Sequence, residues 1–371
     1  MTPDKEIIVL GDVEMGGGNL TDDFIADKAL AKLIFDTAKK RGPVDMIFNG
    51  DTFDFLKCPS QLNPPHYPRH ITKDISLAKL HLIYRAHPLV FEAWRQFLTR
   101  PEKRIYFILG NHDHDLIYPE VQRELQRLLE NKERVIFPKQ AYEQHDIHVE
   151  HGHLYDFWFA INFEKLFLTH EGKSILNFPY ASLGLISSFM SLKEQHPFLE
   201  RIFPRPELLT HHRVIARKVN MHTFGYFFKS LAYYPFRFYS DPTYSFPTSI
   251  LRAIYKRFRT FRWDVDNITS IFMNKDVPQK IIILGHIHEK RIARGDNRII
   301  IHPGSWRDEY DFNAKTRELI PRSKRYIQIA VVDNKPEYQI IDLPMHRSIL
   351  SFDNVIKDEF KYLKLAAEEE A

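Results

Sequence analysis

Short apolar runs recur along the chain, and several of them stop at a glycine that is followed by a polar residue. An apolar run of about four to eight residues bounded in this way predicts a buried strand. The strands predicted on this pattern cover residues 6–10, 45–48, 104–109, 134–137, 147–150, 280–284, 298–302, 326–332 and 337–343.

Between these runs, apolar residues recur at helical spacing. The predicted helices cover residues 23–41, 71–99, 120–130 and 354–371. The first of them ends at Gly42 and Pro43, a pair that terminates helices. Strands and helices therefore alternate along much of the chain, which indicates an α/β fold.

The pattern changes at residue 154 and resumes near residue 275. The segment 154–274, hereafter the cap segment, is aromatic, basic and interrupted by prolines, with no clear strand alternation. We interpret it as a mostly helical cap inserted into a core formed by residues 1–153 and 275–345, with 346–371 as a helical tail. Within it, residues 174–192 carry no charged side chain, which suits an apolar lid or a core helix. The alternative is that the aromatic residues of the cap segment form an ordinary second core.

The composition is that of a water-soluble globular protein, with 44% hydrophobic and 27% charged residues among 371. The single cysteine, Cys58, excludes an intrachain disulfide and fits a reducing compartment. No signal peptide is visible at the amino terminus. These features predict a cytoplasmic location.

The net charge of +4 is unevenly distributed. Residues 201–263 contain 12 Lys and Arg against 2 acids, together with 16 aromatic residues. A basic and aromatic segment in an otherwise acidic protein indicates an anionic partner, either a lipid headgroup surface or a nucleic acid. The cations proposed to bind substrate are Arg252, Lys256, Arg257 and Arg259.

Five predicted strands end in potential metal ligands. These residues are Asp12 and Glu14, Asp51, Asn111 and His112, His151, and His286 with His288. Carboxylate, amide and imidazole groups suit hard or borderline divalent ions, and a set of this size is enough for two of them. Each motif alone has a plainer explanation as a turn or a solvent-facing pair. His114 and Asp115, which extend one of these motifs, are expected in a solvated turn.

Five short motifs occur in order: GDVE at 11–14, GDTFD at 50–54, GNHD at 110–113, HGH at 151–153 and GHIH at 285–288. This set resembles the calcineurin-like metallophosphoesterase superfamily, whose signature runs GDxH, GDxxD, GNHD or GNHE, H and GHxH. The resemblance implies a four-layer αββα sandwich of two mixed sheets flanked by helices, here with a helical cap insertion.

The resemblance also implies roles for the motif residues. One ion would be held by Asp12, Glu14, Asp51 and His288, and the other by Asp51, Asn111, His151 and His286. His112 would contact the phosphoryl group and protonate the leaving oxygen, with Asp54 as its orienting partner. The implied reaction is in-line attack on a phosphoric ester or anhydride by a hydroxide held between the ions.

Glu14 departs from the signature, which usually has His at this position. A carboxylate there adds negative charge, so we expect manganese first, with iron or magnesium as alternatives and zinc less favoured. The alternative is that Glu14 points away and the first ion is weakly held or missing.

The closest resemblance within the superfamily is to the UDP-2,3-diacylglucosamine hydrolases of lipid A synthesis. The shared features are a GGG loop after the first motif, GDxFDF, HG, a helical insertion and a late Gly-Ser-Trp. His112 departs, because that branch usually has Arg there. We expect a phosphorylated lipid or nucleotide-sugar-lipid substrate, met at an anionic membrane surface by a peripheral protein. The alternatives are a nuclease or nucleotide phosphodiesterase, which would bind nucleic acid, and a non-catalytic binding scaffold.

Overall fold

The computed structural model describes residues 3–244, 268–275, 277–344 and 346–370. The four cations proposed above to bind substrate, Arg252, Lys256, Arg257 and Arg259, lie outside the described residues.

The strands of the described chain are numbered in sequence order. They are β1 (Lys5–Leu10), β2 (Val44–Asn49), β3 (Gln61–Leu62), β4 (Pro65–His66), β5 (Lys103–Ile108), β6 (Val135–Ile136), β7 (Ala141–Gln144), β8 (Ile147–Glu150), β9 (Phe167–His170), β10 (Lys173–Leu176), β11 (Ile202–Phe203), β12 (Ile281–Leu284), β13 (Lys290–Arg294), β14 (Ile299–Pro303), β15 (Tyr310–Asn313), β16 (Glu318–Pro321), β17 (Arg325–Val332), β18 (Lys335–Asp342) and β19 (Leu350–Ser351).

The helices are numbered in the same way. They are α1 (Asp27–Ala38), α2 (Lys73–Ala86), α3 (Pro88–Leu98), α4 (Pro119–Leu128), α5 (Tyr180–Gly184), α6 (Met190–Gln195), α7 (Arg205–His211), α8 (Arg213–Arg237), α9 (Ile268–Asn274), α10 (Phe352–Lys357) and α11 (Glu359–Glu370). A π-helical turn, Leu185–Phe189, joins α5 to α6. Among the described residues, no helix combines the length and the apolar character needed to cross a membrane.

Two mixed sheets form the centre of the molecule. The first has the strand order β18-β17-β1-β2-β5-β6, and the second has the order β13-β14-β12-β8-β7. β1, β2, β5 and β6 are parallel in the first sheet, as are β8, β12 and β14 in the second. The remaining neighbours pair antiparallel.

Alternating side chains on the central strands explain how the layers pack. Ile7 and Val9 of β1 point into the apolar layer between the two sheets, where they join Ile281 and Ile283 of β12. Their neighbours in β1, including Leu10, pack instead against α1 to α4 on the outer face of the first sheet. On the outer face of the second sheet, β12 packs against α9. This arrangement of helix, sheet, sheet and helix confirms the predicted fold class.

Several elements differ from the sequence prediction. The helix expected over residues 71–99 is two helices, because Pro88 begins α3 and interrupts the backbone hydrogen bonding of α2. The cap segment, expected to lack strands, contains the β9-β10 hairpin. β11, β15, β16 and β19 form a further sheet that the pattern did not predict.

Candidate metal centre

The ligands predicted from the sequence follow the carboxyl ends of β1, β2, β5, β8 and β12. Parallel strands present their carboxyl ends at one edge of a sheet, and the two packed sheets bring both edges together. Five of these side chains are buried and two are half-buried. The buried residues are Asp12, Glu14, Asp51, Asn111 and His151, and the half-buried ones are His286 and His288.

The backbone at this edge adopts unusual conformations. Left-handed φ angles occur at Glu14 (54°), Asp51 (47°), His286 (70°) and His288 (56°). Such angles are costly for residues with a Cβ and concentrate at functional sites. A Cβ at Gly50 would lie 2.4 Å from Cγ of His151, and one at Gly110 would lie 2.0 Å from Oδ1 of Asp51. The two motif glycines therefore leave room for the neighbouring ligand side chains.

The second ion set predicted from the sequence is closely grouped. Oδ2 of Asp51 lies 3.1 Å from Nε2 of His151. Oδ1 of Asn111 lies 3.2 Å from the same nitrogen and 2.9 Å from Nδ1 of His286. Donor atoms that share one ion at about 2.0 to 2.2 Å have similar separations. These four residues therefore fit a divalent ion.

The first ion set is looser. Nε2 of His288 lies 3.5 Å from Oδ1 of Asp12 and 3.2 Å from Oε1 of Glu14. Oδ1 of Asp12 accepts a hydrogen bond of 3.0 Å from the backbone N–H of His286. Oδ2 of Asp12 is buried and has no hydrogen-bond partner among the described residues. A buried carboxylate oxygen without a hydrogen-bond partner fits the role of a metal ligand.

Each imidazole in the centre has a partner on its other nitrogen. Nδ1 of His151 donates to the carbonyl oxygen of Asn49 (2.9 Å), and Nε2 of His286 donates to Asp156 (3.1 Å). Nδ1 of His288 donates to Glu309 (2.9 Å). Such bonds fix the ring orientation and leave the opposite nitrogen free to ligate. The sequence analysis missed Asp156 and Glu309 because neither lies in a motif and only the fold brings them to the ligands.

His112 lies beside the ligands and faces Asp54. Its Nδ1 donates a hydrogen bond of 2.7 Å to Oδ1 of Asp54. Burial lowers the pKa of His112, but the negative charges of Glu14, Asp54 and Asp51 outweigh that effect and raise it to about 9. These three carboxylates therefore favour the protonated form of the ring.

Glu14 is also held by two buried cations that the sequence analysis did not single out. Nζ of Lys57 lies 3.0 Å from Oε2 of Glu14, and Nη1 of Arg307 lies 3.3 Å from Oε1. Burial raises the pKa of Glu14, but Arg307 and Lys57 together hold it well below its usual range. Glu14 is thus an ionised carboxylate whose two oxygens already have cationic partners.

Two polar residues expected in a solvated turn are instead fully buried. His114 and Asp115 follow the GNHD motif in a short helical turn whose side chains point inward. The ring of His114 packs 4.7 Å from the ring of Phe178, and burial lowers the pKa of His114 to about 3. The expectation of a solvated turn was wrong because the cap segment covers this turn.

A cavity of about 960 Å³ lies directly above the strand ends. Asp51, Asn111, His112, His286 and His288 lie along it, together with Lys57 and Arg307. The cap segment supplies most of its apolar wall. Aromatic residues of that wall include Phe159, Tyr180, Phe189, Phe203, Tyr226 and Phe227. The proposed metal ligands and His112 therefore lie at one side of a cavity whose other wall is largely aromatic.

Comparison with known proteins gives a family match and similarity to solved structures, one of which is described below. The sequence profile described as calcineurin-like phosphoesterase matches residues 6–297. The chain has no match among curated proteins. A solved structure described as a "Putative 5'-Nucleotidase from Staphylococcus aureus" aligns with 13% identity and a TM-score of 0.34. The alignment covers 98% of this chain and 58% of that one, and a TM-score this low carries no argument about function.

Proposed function

The chain belongs to the calcineurin-like phosphoesterase family, whose sequence profile spans residues 6–297, and from this premise we propose that it hydrolyses lipid-linked phosphates with the help of two divalent ions. Phosphoester hydrolysis is the activity of the family. The identity of the metal, the roles of individual residues and the lipid substrate are our proposals.

The ligands proposed for the two ions share Asp51. Asp12, Glu14 and His288 complete the first set, and Asn111, His151 and His286 complete the second. Bound divalent ions would activate water and neutralise charge on the phosphoryl oxygens. Oxygen and imidazole donors suit manganese best, with iron or magnesium as alternatives.

The protein's own side chains would position the substrate and move the leaving proton. His112 borders the cavity and in its protonated form could donate a proton to the departing oxygen, while Asp54 holds the ring in place at 2.7 Å. Lys57 and Arg307 also border the cavity. Besides pairing with Glu14 and Asp23, these two positive charges would add to the attraction for phosphoryl oxygens.

The aromatic wall of the cavity is the observation that supports a lipid substrate. Single-stranded nucleic acid is bound in open basic grooves with aromatic platforms. Here the wall combines aromatic rings with Leu185 and Ile268, and the cavity lies between the cap segment and the strand ends. Such a chamber suits an acyl or prenyl chain, as in the UDP-2,3-diacylglucosamine hydrolases that the motifs resemble. The four cations at 252–259 remain proposed substrate contacts.

We further propose that the cap segment, residues 154–274, acts as a unit inserted into the core of 1–153 and 275–345. The tail of 346–371 would pack outside that core. In this scheme the core supplies the ions and the cap segment supplies the lipid-binding wall. A protein built in this way would meet its substrate at an anionic membrane surface.

A pair of neighbouring aromatic residues on α8 tests the lipid assignment. Phe227 borders the cavity, whereas Phe228 is 63% exposed. We would assay a water-soluble, short-chain lipid pyrophosphate and p-nitrophenyl phosphate with Phe227→Ser and with the control Phe228→Ser. Loss of the apolar contact proposed between the Phe227 ring and the lipid chain predicts a fall of about tenfold or more in kcat/KM for the lipid substrate.

The expected pattern is specific to one variant and one substrate. Phe227→Ser should leave p-nitrophenyl phosphate hydrolysis within about twofold of wild type, and Phe228→Ser should leave both activities unchanged. Equal losses on both substrates, or faster cleavage of nucleotides and oligonucleotides than of the lipid by wild type, would reject the lipid assignment and favour the nuclease alternative.

A further inference from the structure

A second cluster of metal-binding side chains lies away from the strand ends, where the cap segment meets the core. His70 precedes α2, His170 ends β9, and Asp241 follows α8. Nε2 of His70 lies 2.9 Å from Oδ2 of Asp241, and the rings of His70 and His170 stack with centroids 4.0 Å apart. One donor atom from each of the three residues lies within 4.8 Å of the others.

The carboxylate in this cluster is held in a fixed orientation. Oδ1 of Asp241 accepts hydrogen bonds from the backbone N–H and the hydroxyl of Thr243, at 3.0 and 2.7 Å. The Thr243 hydroxyl in turn accepts a hydrogen bond of 2.7 Å from Nε of Arg69. Oδ2 of Asp241 is therefore directed at His70. Bonds to a carboxylate from outside the cluster are typical of metal ligands.

His170 contributes a nitrogen that lacks a partner. Its Nδ1 is buried and has no hydrogen-bond partner among the described residues. A buried polar atom without a partner costs free energy unless a ligand or an ion satisfies it. Two stacked imidazoles would also repel each other if both were protonated, whereas a bound transition ion keeps both neutral.

We propose that His70, His170 and Asp241 form a transition-metal site of the zinc class. Two imidazoles and one carboxylate are a common donor set for Zn²⁺, and a water molecule would complete the tetrahedron. Ligand atoms of a tetrahedral zinc ion are about 3.3 Å apart, so three donor atoms that lie within 4.8 Å of one another need only small side-chain movements to close around it. The site shares no residue with the centre at the strand ends.

The site would hold the cavity wall in place. It joins the β9-β10 hairpin, the loop before α2 and the end of α8. Tyr226 and Phe227, on the same helix, line the cavity. An ion that cross-links these segments would stabilise the wall against the core, in the way that structural zinc ions stabilise folded domains.

Zinc content is the first test of the site. Chelator-treated wild type, Asp51→Asn, His170→Ala and the double variant would be loaded with zinc, desalted and analysed for metal. We expect His170→Ala to remove about one ion per chain in both backgrounds. His81→Ala, which removes a half-exposed histidine paired with Glu124 at 3.1 Å, is the matched control and should remove none.

Direct location of the ion keeps the proposal testable even if the variants fold poorly. Crystals of wild type grown with zinc should give an anomalous peak between His70, His170 and Asp241. Thermal unfolding should shift upward with zinc in Asp51→Asn and not in the double variant. The proposal is overturned if wild-type crystals show no peak there and His170→Ala retains the full metal content, which would make the cluster an ordinary His–Asp ion pair.

Discussion

The environment of Glu14 determines how the first ion would bind. Its oxygens lie 3.0 Å from Nζ of Lys57, 3.3 Å from Nη1 of Arg307 and 3.2 Å from Nε2 of His288. A carboxylate shared with two buried cations has less negative charge to offer a metal ion. Asp51, the carboxylate that the second set shares with the first, pairs with His151 and with no Lys or Arg among the described residues. We therefore infer that the two ions bind with unequal affinity.

Metal titration of chelator-treated protein tests this inference. Manganese should bind in two steps, with the weaker step assigned to the first set. Glu14→Gln should weaken that step about tenfold and spare the other, whereas Asp51→Asn should weaken both. Asp45→Asn changes a buried carboxylate that pairs with Lys5, away from the centre, and should change neither step. Two equal steps in wild type would contradict the inference.

His112 is the residue for which kinetics are most informative. Removal of a general acid slows reactions that have poor leaving groups, typically by about 10² to 10⁴. His112→Ala should therefore lose much more activity on alkyl phosphoesters than on p-nitrophenyl esters, whose leaving group hardly needs a proton. Its metal content should equal that of wild type. Equal losses on both substrates would assign His112 to phosphoryl binding instead.

At the scale of single residues, the sequence predicted the candidate metal ligands that follow the strands. It missed the residues that form hydrogen bonds or ion pairs with those ligands. Asp51 and His151 could be recognised because each follows an apolar run and a motif glycine marks the turn. Lys57, Arg307, Asp156 and Glu309 could not, because their importance lies in contacts with residues far away in the chain. Only tertiary packing makes such contacts.

At the scale of elements, prediction succeeded where both faces of a strand are buried. β12 is apolar throughout and was predicted to within one residue. β13 was missed because it is largely exposed and carries Lys290, Arg291 and Arg294, so its pattern is that of a loop. β9 and β10 were missed because a short half-exposed hairpin has no apolar run.

The junction of α2 and α3 supports the glycine loop that follows the first motif. His87, at this junction, contacts Asp22 at 3.1 Å and Asp27 at 2.9 Å. Asp22 in turn accepts hydrogen bonds from the backbone N–H groups of Gly16 and Gly18, at 3.1 and 2.8 Å. Burial lowers the pKa of His87, but Asp22 and Asp27 outweigh it and raise the pKa to about 10.

This junction predicts a pH-dependent contribution to stability. Because the folded pKa of His87 is about 10 against 6.5 in the unfolded chain, its stabilising effect is complete below pH 6.5 and is lost as pH rises toward 10. His87→Gln should cost about 3 kcal/mol of unfolding free energy at pH 6, since it leaves the buried carboxylate of Asp22 and the half-buried one of Asp27 without their charged partner. Urea denaturation of wild type and His87→Gln at pH 6, 8 and 9.5 measures this loss of unfolding free energy. If the difference between the two proteins did not shrink as pH rises, the prediction would be refuted.

At the scale of the whole molecule, buried ion pairs join the cap segment to the core. Asp23 is fully buried and pairs with Lys57 and Arg307 from the core and with Lys193 and Arg201 from the cap segment. Lys193 also pairs with Glu200 at 2.7 Å. Loss of one member would leave an uncompensated buried charge, which is strongly destabilising. These pairs fix the segment that carries part of the cavity wall beside the ligands.

The outer face of α8 is the surface best suited to an anionic membrane. The helix contains no acid, and Arg213, Arg217 and Lys229 are exposed on it. Met221 (63%), Phe224 (60%) and Phe228 (63%) are also exposed, at the spacing of one helical face. Apolar side chains flanked by cations are typical of helices that lie in the membrane interface. The inner face of the same helix lines the cavity, so docking would bring a membrane lipid to the cavity proposed above to bind it.

Vesicle sedimentation separates the electrostatic contribution to membrane binding from the apolar contribution. Neutralising Arg213, Arg217 and Lys229 to Gln should weaken binding to anionic vesicles about a hundredfold, at roughly 1 kcal/mol per cation, and reduce its salt sensitivity. Changing Met221, Phe224 and Phe228 to Ser should remove the salt-resistant remainder. Ile349→Ser with Phe360→Ser, two exposed apolar residues far from α8 in sequence, is the control and should bind as wild type. If wild type bound single-stranded DNA or RNA tightly and did not associate with vesicles, the membrane surface would be rejected and a nucleic-acid substrate favoured. A basic helix that binds nucleic acid but not anionic lipid recognises the phosphate backbone of the nucleic acid.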